Sequence, residues 1–507
     1  MQTVLEIASL ILFWVSTSAS ASGTGQAWPV QTYRSSNARP PVLNLTKSGR
    51  TSAGYLFLTP ESGSTRVESS LIFDDRNLIW QGPSGNVTNF YPQTLHGQQV
   101  LSYWAGNTSE GGWGSGSIHL LNTSYDEIYE VSLAGNETWV SPLLAEFPSY
   151  IDKHEALITE RGSVLVSAIN ATRGDLRPFS GPTDGWIQDN LFYEIRVETN
   201  EVLFRWSGVE HADVIDPHYS SRLLDGKRDG STQATPWDYM HINSIAPLGD
   251  DYLVSFKCLD TIALIQPDGS VKWKLNGRTG GDFTLGPGTN FISQHNIRVH
   301  ERRVVGNNDI ISISMHNNGV SCNKTKVFPS NGLLLDVDVT SKQVMLNRKL
   351  YDPSDPVYSS ARGNCQSLPG GHVLVGHGII PGLEEYDEND NCVLRVQYGF
   401  SPNDGNYAAI RSAWVGTPRT SPQVVACRSS KDRTRLYISW NGATDIGEWE
   451  IWTGGGEDTS QYTTRVKKTG FETVAEIDGT PFHVAVRAVG GPNHGHRSTA
   501  VKVNEAC

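Results

Sequence analysis

Three histidines stand at the same point of a recurring motif. In "HEALITERGSVLVS" (154–167), "HINSIAPLGDDYLVS" (241–255) and "HNIRVHERRVVGNNDIIS" (295–312) an imidazole opens a strand that leads into an "LVS"- or "IIS"-like partner. Asn364 takes that place in "GNCQSLPGGHVLVGHG". Period-two alternation puts Asn243 on the same side as His241, and Lys257, on the following strand, adds a positive charge. Brought to one point, His154, His241, His295, Asn243 and Lys257 would surround a compact oxyanion such as sulfate or phosphate with donors, and one imidazole could attack as a nucleophile. Zinc binding by three histidines ranks second, because the one carboxylate in a matching register, Glu155, is expected to point away. For any single histidine the plainer reading, ring nitrogens tied to nearby backbone, is the better one. Three in one register favour a site. His316, His372 and His377 lack the repetition and read as ordinary surface or channel residues.

The elements that must position these groups are read from the repeat itself. Six copies cover 54–82, 91–132, 154–208, 241–275, 295–350 and 363–399, each with about four short apolar strands and Gly or Asp turns. Such a unit cannot bury both faces alone. Six arranged radially cover one another, so the expected fold is all-β, a six-bladed β-propeller over 23–420 whose innermost strands place one register as a ring around the axis. A parallel β-helix is the structural rival, but its repeat would be shorter and more regular. Loops such as "PFSGPTDGWIQDN" and "NGRTGGDFTLGPGTNF" would crowd one face and shape a pocket entrance. After "VGTPRTSPQ" the pattern shifts to a strand bearing Trp440 and then strands at sandwich spacing, predicting a C-terminal fibronectin- or immunoglobulin-like β-sandwich at 421–507.

Composition agrees with this division. A length of 507 residues exceeds one ordinary core, and 50 Gly, 25 Pro and 14 Trp suit short strands joined by turns. The net charge of −12 leaves no basic surplus for phosphate backbones and argues against nucleic acid as a partner. An anionic ligand therefore requires a local cluster of positive groups.

Residues 1–22, "MQTVLEIASLILFWVSTSASAS", read as a signal peptide too short for a stable membrane span. Sequons at Asn44, Asn86, Asn107, Asn122, Asn136, Asn170 and Asn323 add to that leader, and together they predict a glycosylated, secreted or secretory-pathway protein. Six cysteines fit an oxidising compartment. The preferred bridges are Cys427 with Cys507, bracketing the C-terminal segment, and Cys365 with Cys392, bracketing one strand-rich unit. Cys258 and Cys322 remain, with a disulfide or an inert buried thiol favoured over a reactive one.

With these residues in view, the chain resembles the arylsulfotransferase (ASST) family, particularly its secreted fungal branch. The resemblance runs over most of 30–480 and is carried by "GYLFLTPESG", "LIFDDRNLIWQG", "VLSYWAGNTSEGGWGSGSIHLLN", "WDYMHINSI", "YLVSFKCLDTIALIQPDGSVKWKLNG", "FISQHNIRVH" and "GNCQSLPGGHVLVGHG" taken together. It implies a six-bladed propeller with its site in the central channel, and transfer of a sulfuryl group between phenols without a nucleotide sulfate donor, a metal or an organic cofactor. It also implies that His295 is the transiently sulfurylated nucleophile, that His241 and Asn243 stabilise sulfuryl oxygens, and that His154 assists the leaving or attacking oxygen. Two departures stand out: "SFKCLD" gives Lys257 and Cys258 where the family usually reads Ser-Arg-His or similar, the lysine keeping the charge but losing arginine's planar two-pronged donor, and Met315, His316 and Asn317 stand where relatives often show "FDN".

The function expected is thus an aryl sulfotransferase-like enzyme acting on a small phenolic or sulfated aromatic substrate. Two alternatives are a repurposed scaffold that tailors a small natural product in fungal secondary metabolism by histidine acid–base chemistry, motivated by the Lys257 and Cys258 departures, and a non-catalytic propeller that binds aromatic or sugar ligands.

Overall fold

The computed structural model describes residues 27–506 except 62, 65–68, 110, 136–137, 225–227 and 401–403. The expected signal segment, the Asn136 sequon and Cys507 lie outside the described residues. Strands dominate, and the helical elements are single 3-10 turns such as Lys257–Leu259. No helix among the described residues is long and apolar enough to cross a membrane.

Among the described residues the strands form seven sheets, antiparallel apart from a two-residue parallel pairing of Thr284–Leu285 with Gln343–Leu350. Five of these sheets hold the six sequence copies. Copies four and five each make their own sheet. Copies two and three share an eight-stranded sheet, joined where Gly116 pairs with Ile151. Copy one contributes three strands rather than four, and its remaining edge is taken by Ile410–Ser412, which pairs with Tyr55–Leu58. Copy six is extended in turn by Asn44–Lys47, which pairs with Cys392–Gln397. The beginning and end of the repeat region therefore interlock, protecting edges that a linear array would leave open.

Burial follows the order of the copies. Buried apolar clusters lie between copies one and two around Phe57 and Leu101, two and three around Trp104 and Val166, and three and four around Phe192 and Val254. The series continues between four and five around Leu264 and Leu333, five and six around Leu350 and Val375, and six and one around Leu374 and Leu58. Each sheet is thus covered on both faces by its sequence neighbours, and the last packs on the first. Both faces of a sheet can then be apolar, which is why the copies carry continuous hydrophobic runs such as "TIALI".

Beyond Ile410–Ser412 the last two sheets, of three and four strands, share one core around Trp449, Leu436, Ile451 and Val486. This unit docks on copy one: Gly442 N–H donates to the Ile79 carbonyl at 2.8 Å, and Asn441 exchanges hydrogen bonds with the Gln81 backbone, at 2.9 Å each.

The cysteine pattern requires a correction. Cys258 is bonded to Cys322, whereas Cys365 and Cys392 are free thiols, so the bridge expected between them is not formed. They sit on the first and fourth strands of one four-strand run. At about 4.8 Å per strand that is roughly 14 Å, about twice the reach of a disulfide. Bracketing a unit in sequence does not bring its end strands together. Cys427 is disulfide-bonded, and its expected partner Cys507 lies outside the described residues.

Candidate active site

His154, His241, His295 and Lys257 line one cavity of about 200 Å³. His154 lies within the strand Ile151–Ile158, His241 immediately precedes Ile242–Leu248, and His295 opens His295–Val305. Three neighbouring copies thus each contribute one ring from on or just before their first strand. The rings of His154 and His241 meet edge to face at 4.8 Å between centroids. Lys257 is not on a strand: it starts the 3-10 turn after Asp251–Phe256, where its backbone N–H donates to the His241 carbonyl at 3.0 Å.

Two imidazoles are held by carboxylates. His154 Nδ1 pairs with Asp152, which also accepts from Gly114 N–H at 2.6 Å, and His241 Nδ1 lies 2.6 Å from Asp238. Burial alone would raise both acids, but interaction with the facing imidazole, joined at Asp238 by Arg222 and Arg228, holds Asp152 and Asp238 below the usual carboxylate range. With Nδ1 as donor, the Nε2 lone pairs of His154 and His241 are directed away from the acids. His295 is held differently. Its Nδ1 faces Asn318 Oδ1 at 2.7 Å and the Ser293 carbonyl at 3.0 Å, and its Nε2 accepts the Arg362 backbone N–H at 3.0 Å. Asn318 in turn donates to the carbonyls of Ser359 and Arg362, tying His295 to the start of copy six.

Burial keeps His241 and His295 neutral. It lowers His241 to about 3, assisted by the positive charge of Lys257 and opposed by Asp238, and it holds His295 well below its ordinary value with Lys257 as the next cause. Lys257 itself is lowered to about 7, first by burial and then by Arg222 and Arg228. Neutral His241 and His295 retain the lone pairs needed for attack or proton transfer, while the arginines beside them present positive charge.

Backbone strain collects here. His241, Ser293, Asn296 and Arg362 all adopt left-handed φ values, between 52° and 62°, that non-glycine residues rarely take. At His241 this has a direct consequence: the ladder shifts register between Ile242 and Ser244, and simple alternation fails. Asn243 consequently does not line the cavity. Its amide donates to the Gln294 carbonyl at 2.7 Å and fixes the approach to His295. Asn364 is likewise engaged elsewhere, in a reciprocal pair with the Ala409 backbone. Glu155 points away as expected, accepting from Ile245 N–H and from Arg298.

Sequence reading missed Arg222, Arg228 and Arg362, which also line the cavity. Arg222 and Arg228 come from the long connection between copies three and four, outside any repeat register, and Arg362 directly precedes copy six. The acids were more accessible: "IDKH" and "DYMH" place an aspartate two or three residues before two of the three histidines.

The Nδ1–acid pairs of His154 and His241 would by themselves suit metal ligands, but His295 already accepts a backbone N–H at Nε2, and Lys257, Arg222, Arg228 and Arg362 line the same cavity and would repel a second cation. Among the described residues the one close grouping of potential ligands is His119, Glu127 and Glu130, away from the cavity. A larger cavity of about 460 Å³ lies against copy six near His377 and Cys392, but there Arg395 is balanced by Asp352, Asp355 and Glu384. Of the other sequons, Asn44, Asn86, Asn107 and Asn323 are exposed, whereas Asn122 and Asn170 are half-buried and accept backbone hydrogen bonds.

A family model described as "Arylsulfotransferase (ASST)" matches residues 91–399, a span that contains the three imidazoles, Lys257 and the three arginines. No curated protein sequence matches the chain. Among solved structures it is similar to a Bacteroides caccae protein of unknown function, at 12% identity and TM-score 0.34, covering 71% of this chain and 98% of that one. It is also similar to a catalytically inactive virginiamycin B lyase from Staphylococcus aureus with quinupristin, at 7% identity and TM-score 0.33, covering 79% and 97%. A third is apo AztD from Citrobacter koseri, at 10% identity and TM-score 0.28, covering 72% and 100%.

Proposed function

We propose, from the premise that this chain belongs to the arylsulfotransferase (ASST) family, that it moves a sulfuryl group from an aryl sulfate to a phenol by two displacements at the histidine cavity. The observation that carries this reading is the convergence of three imidazoles with Lys257 and three arginines on one small cavity. A neutral imidazole lone pair attacks sulfur, the S–O bond to the donor phenol breaks, and the phenolate leaves with the bond pair. An acceptor phenol gives its proton to a second imidazole and attacks the sulfo-histidine, and the first imidazole departs with its lone pair restored. The cationic groups offset charge on the leaving oxygen and the sulfuryl oxygens. No nucleotide sulfate donor enters these steps.

His295 is the family-implied nucleophile, with His154 and His241 exchanging protons. Attack from His295 Nε2 requires release of the Arg362 N–H that it now accepts. That contact favours a second reading, in which His241, whose Nδ1 is already held by Asp238, carries the sulfuryl group. Incubation with 4-nitrophenyl sulfate, quenching at high pH and mass spectrometry of the peptides separates the two. An adduct on the His295 peptide and loss of turnover in His295→Ala support the first; an adduct on the His241 peptide supports the second. No adduct together with no sulfated phenol overturns both.

The cyclic packing of the six copies is read as a six-bladed propeller, with the two sheets of the C-terminal unit read as a sandwich. The apolar leader and exposed sequons support a secreted glycoprotein.

A further inference from the structure

The three cavity imidazoles do not have equivalent partners. His154 and His241 each set Nδ1 against a carboxylate, that of Asp152 or Asp238, whereas Nδ1 of His295 faces Oδ1 of Asn318, a side chain without charge. Asn318 is fully buried, and its surroundings leave the amide one orientation. Nδ2 donates to the Ser359 carbonyl at 2.9 Å and to the Arg362 carbonyl at 3.0 Å, so turning the amide over would set Oδ1 against two carbonyl oxygens. The backbone is anchored too: the Asn318 carbonyl accepts from Ser330 Oγ at 2.6 Å, and Ser330 Oγ accepts from Ser359 N–H at 2.8 Å. Oδ1 therefore accepts and His295 Nδ1 donates, shared with the Ser293 carbonyl, which leaves the ring's lone pair on Nε2.

An amide and a carboxylate fix the same tautomer but treat charge differently. Attack by Nε2 forms an N–S bond and breaks the S–O bond, whose electron pair leaves on the phenolate. Nδ1 keeps its proton, so the ring becomes cationic. Transfer to the acceptor returns the N–S pair to Nε2 and the ring to neutrality. A facing carboxylate stabilises the cationic ring, which suits an imidazole that takes up a proton but slows a sulfo-imidazole in giving up its group. A carboxamide orients the ring with a hydrogen bond about half as strong and leaves the adduct reactive.

We propose that Asn318 is the positioning residue that singles out His295 as the sulfuryl carrier, while the acid-backed His154 and His241 exchange protons. The assignment rests on the sulfuryl-transfer reading above.

Asn318→Asp and Asn318→Leu test it on the full chain with 4-nitrophenyl sulfate and a phenol, the sulfo-histidine peptide being followed by rapid quench and mass spectrometry. Asn318→Asp keeps the acceptor and adds the charge. Its adduct should form on His295 and persist about tenfold longer than in the wild type, so that kcat falls while kcat/KM for the donor is retained. Asn318→Leu loses the acceptor, and adduct formation itself should slow about tenfold or more. A residue that merely supports the fold would impair both variants alike, in step with their urea midpoints. Wild-type adduct on His241, an unchanged adduct lifetime in Asn318→Asp, or adduct formed at the wild-type rate in Asn318→Leu overturns the proposal. Spectra of the protein labelled with 15N-histidine add a readout free of turnover: His295 should be protonated at Nδ1 in the wild type, and that N–H proton should move upfield in Asn318→Leu. Protonation at Nε2, or an unmoved resonance, also overturns it. A wild type that gives neither adduct nor sulfated phenol sinks sulfuryl transfer and the carrier role with it, whereas the spectra still decide whether Asn318 orients the ring.

Discussion

His241 Nδ1 and Asp238 Oδ2 stand 2.6 Å apart, both fully buried, and this contact decides which imidazole nitrogen faces the cavity. Asp238 also accepts from Asn190 at 3.2 Å and lies 3.5 Å from Arg228, so its position is fixed from three sides. Asp238→Asn preserves volume but replaces the acceptor that sets the tautomer. Its kcat/KM for sulfuryl transfer should fall on the order of 100-fold, with little change in the urea midpoint. A full-rate Asp238→Asn enzyme would show that His241 is a packing residue.

Lys257 sets a pH dependence. Its protonated form is the one that offsets sulfuryl charge, and its value in the folded protein is lowered to about 7 from 10.5. The rate with free enzyme should therefore be high below about 7 and decline as pH rises through it. His241 and His295 are depressed far enough to stay neutral over this range and add no acidic limb near 6. A bound anion favours the ammonium form, so the kcat limb should lie at higher pH than that of kcat/KM. Lys257→Arg should remove the decline, because the guanidinium stays charged. An unchanged profile in that variant would exclude Lys257 as its source.

The same group bears on stability. As pH falls from about 10.5 to 7 the unfolded chain takes up the proton before the folded one, so this residue makes the fold progressively less stable across that window. Lys257→Met should flatten that part of a stability-against-pH curve measured by urea denaturation.

The Cys258–Cys322 bridge closes a separation of 64 residues between copies four and five. Replacing both cysteines by serine should cost about 2–4 kcal/mol in equilibrium denaturation. Alkylation of the unfolded, unreduced chain should label Cys365 and Cys392 and leave Cys258 and Cys322 unmodified. Labelling of Cys258 would refute the pairing.

Glu155 is 1% exposed and joins three copies: it accepts from Arg298 at 2.9 and 3.1 Å and from Ile245 N–H at 3.0 Å. Glu155→Ala leaves a guanidinium without its acid and should cost about 3–5 kcal/mol, with a smaller loss in the Glu155→Ala, Arg298→Ala double variant. Additive losses would mean the two groups are not coupled.

Repetition in the sequence determined a great deal by itself. Strand-forming runs in six similar copies require a cyclic or stacked β architecture, because each unit has two apolar faces to cover. The recurrence of His154, His241 and His295 near the start of three copies was likewise legible, and all three line one cavity although each takes a different position on or before its strand. Tertiary structure decided what repetition could not encode. The left-handed turn at His241 and the bulge after it moved Asn243 out of the cavity, a one-residue slip that reverses the face of a strand. Connections outside the repeat brought in Arg222, Arg228 and Arg362, whose distance from the imidazoles along the chain has no bearing on their distance in space. Cysteine pairing was settled by strand order, because a thiol reaches only about 2 Å to its partner sulfur, and four strands side by side lie beyond that reach however close their sequence.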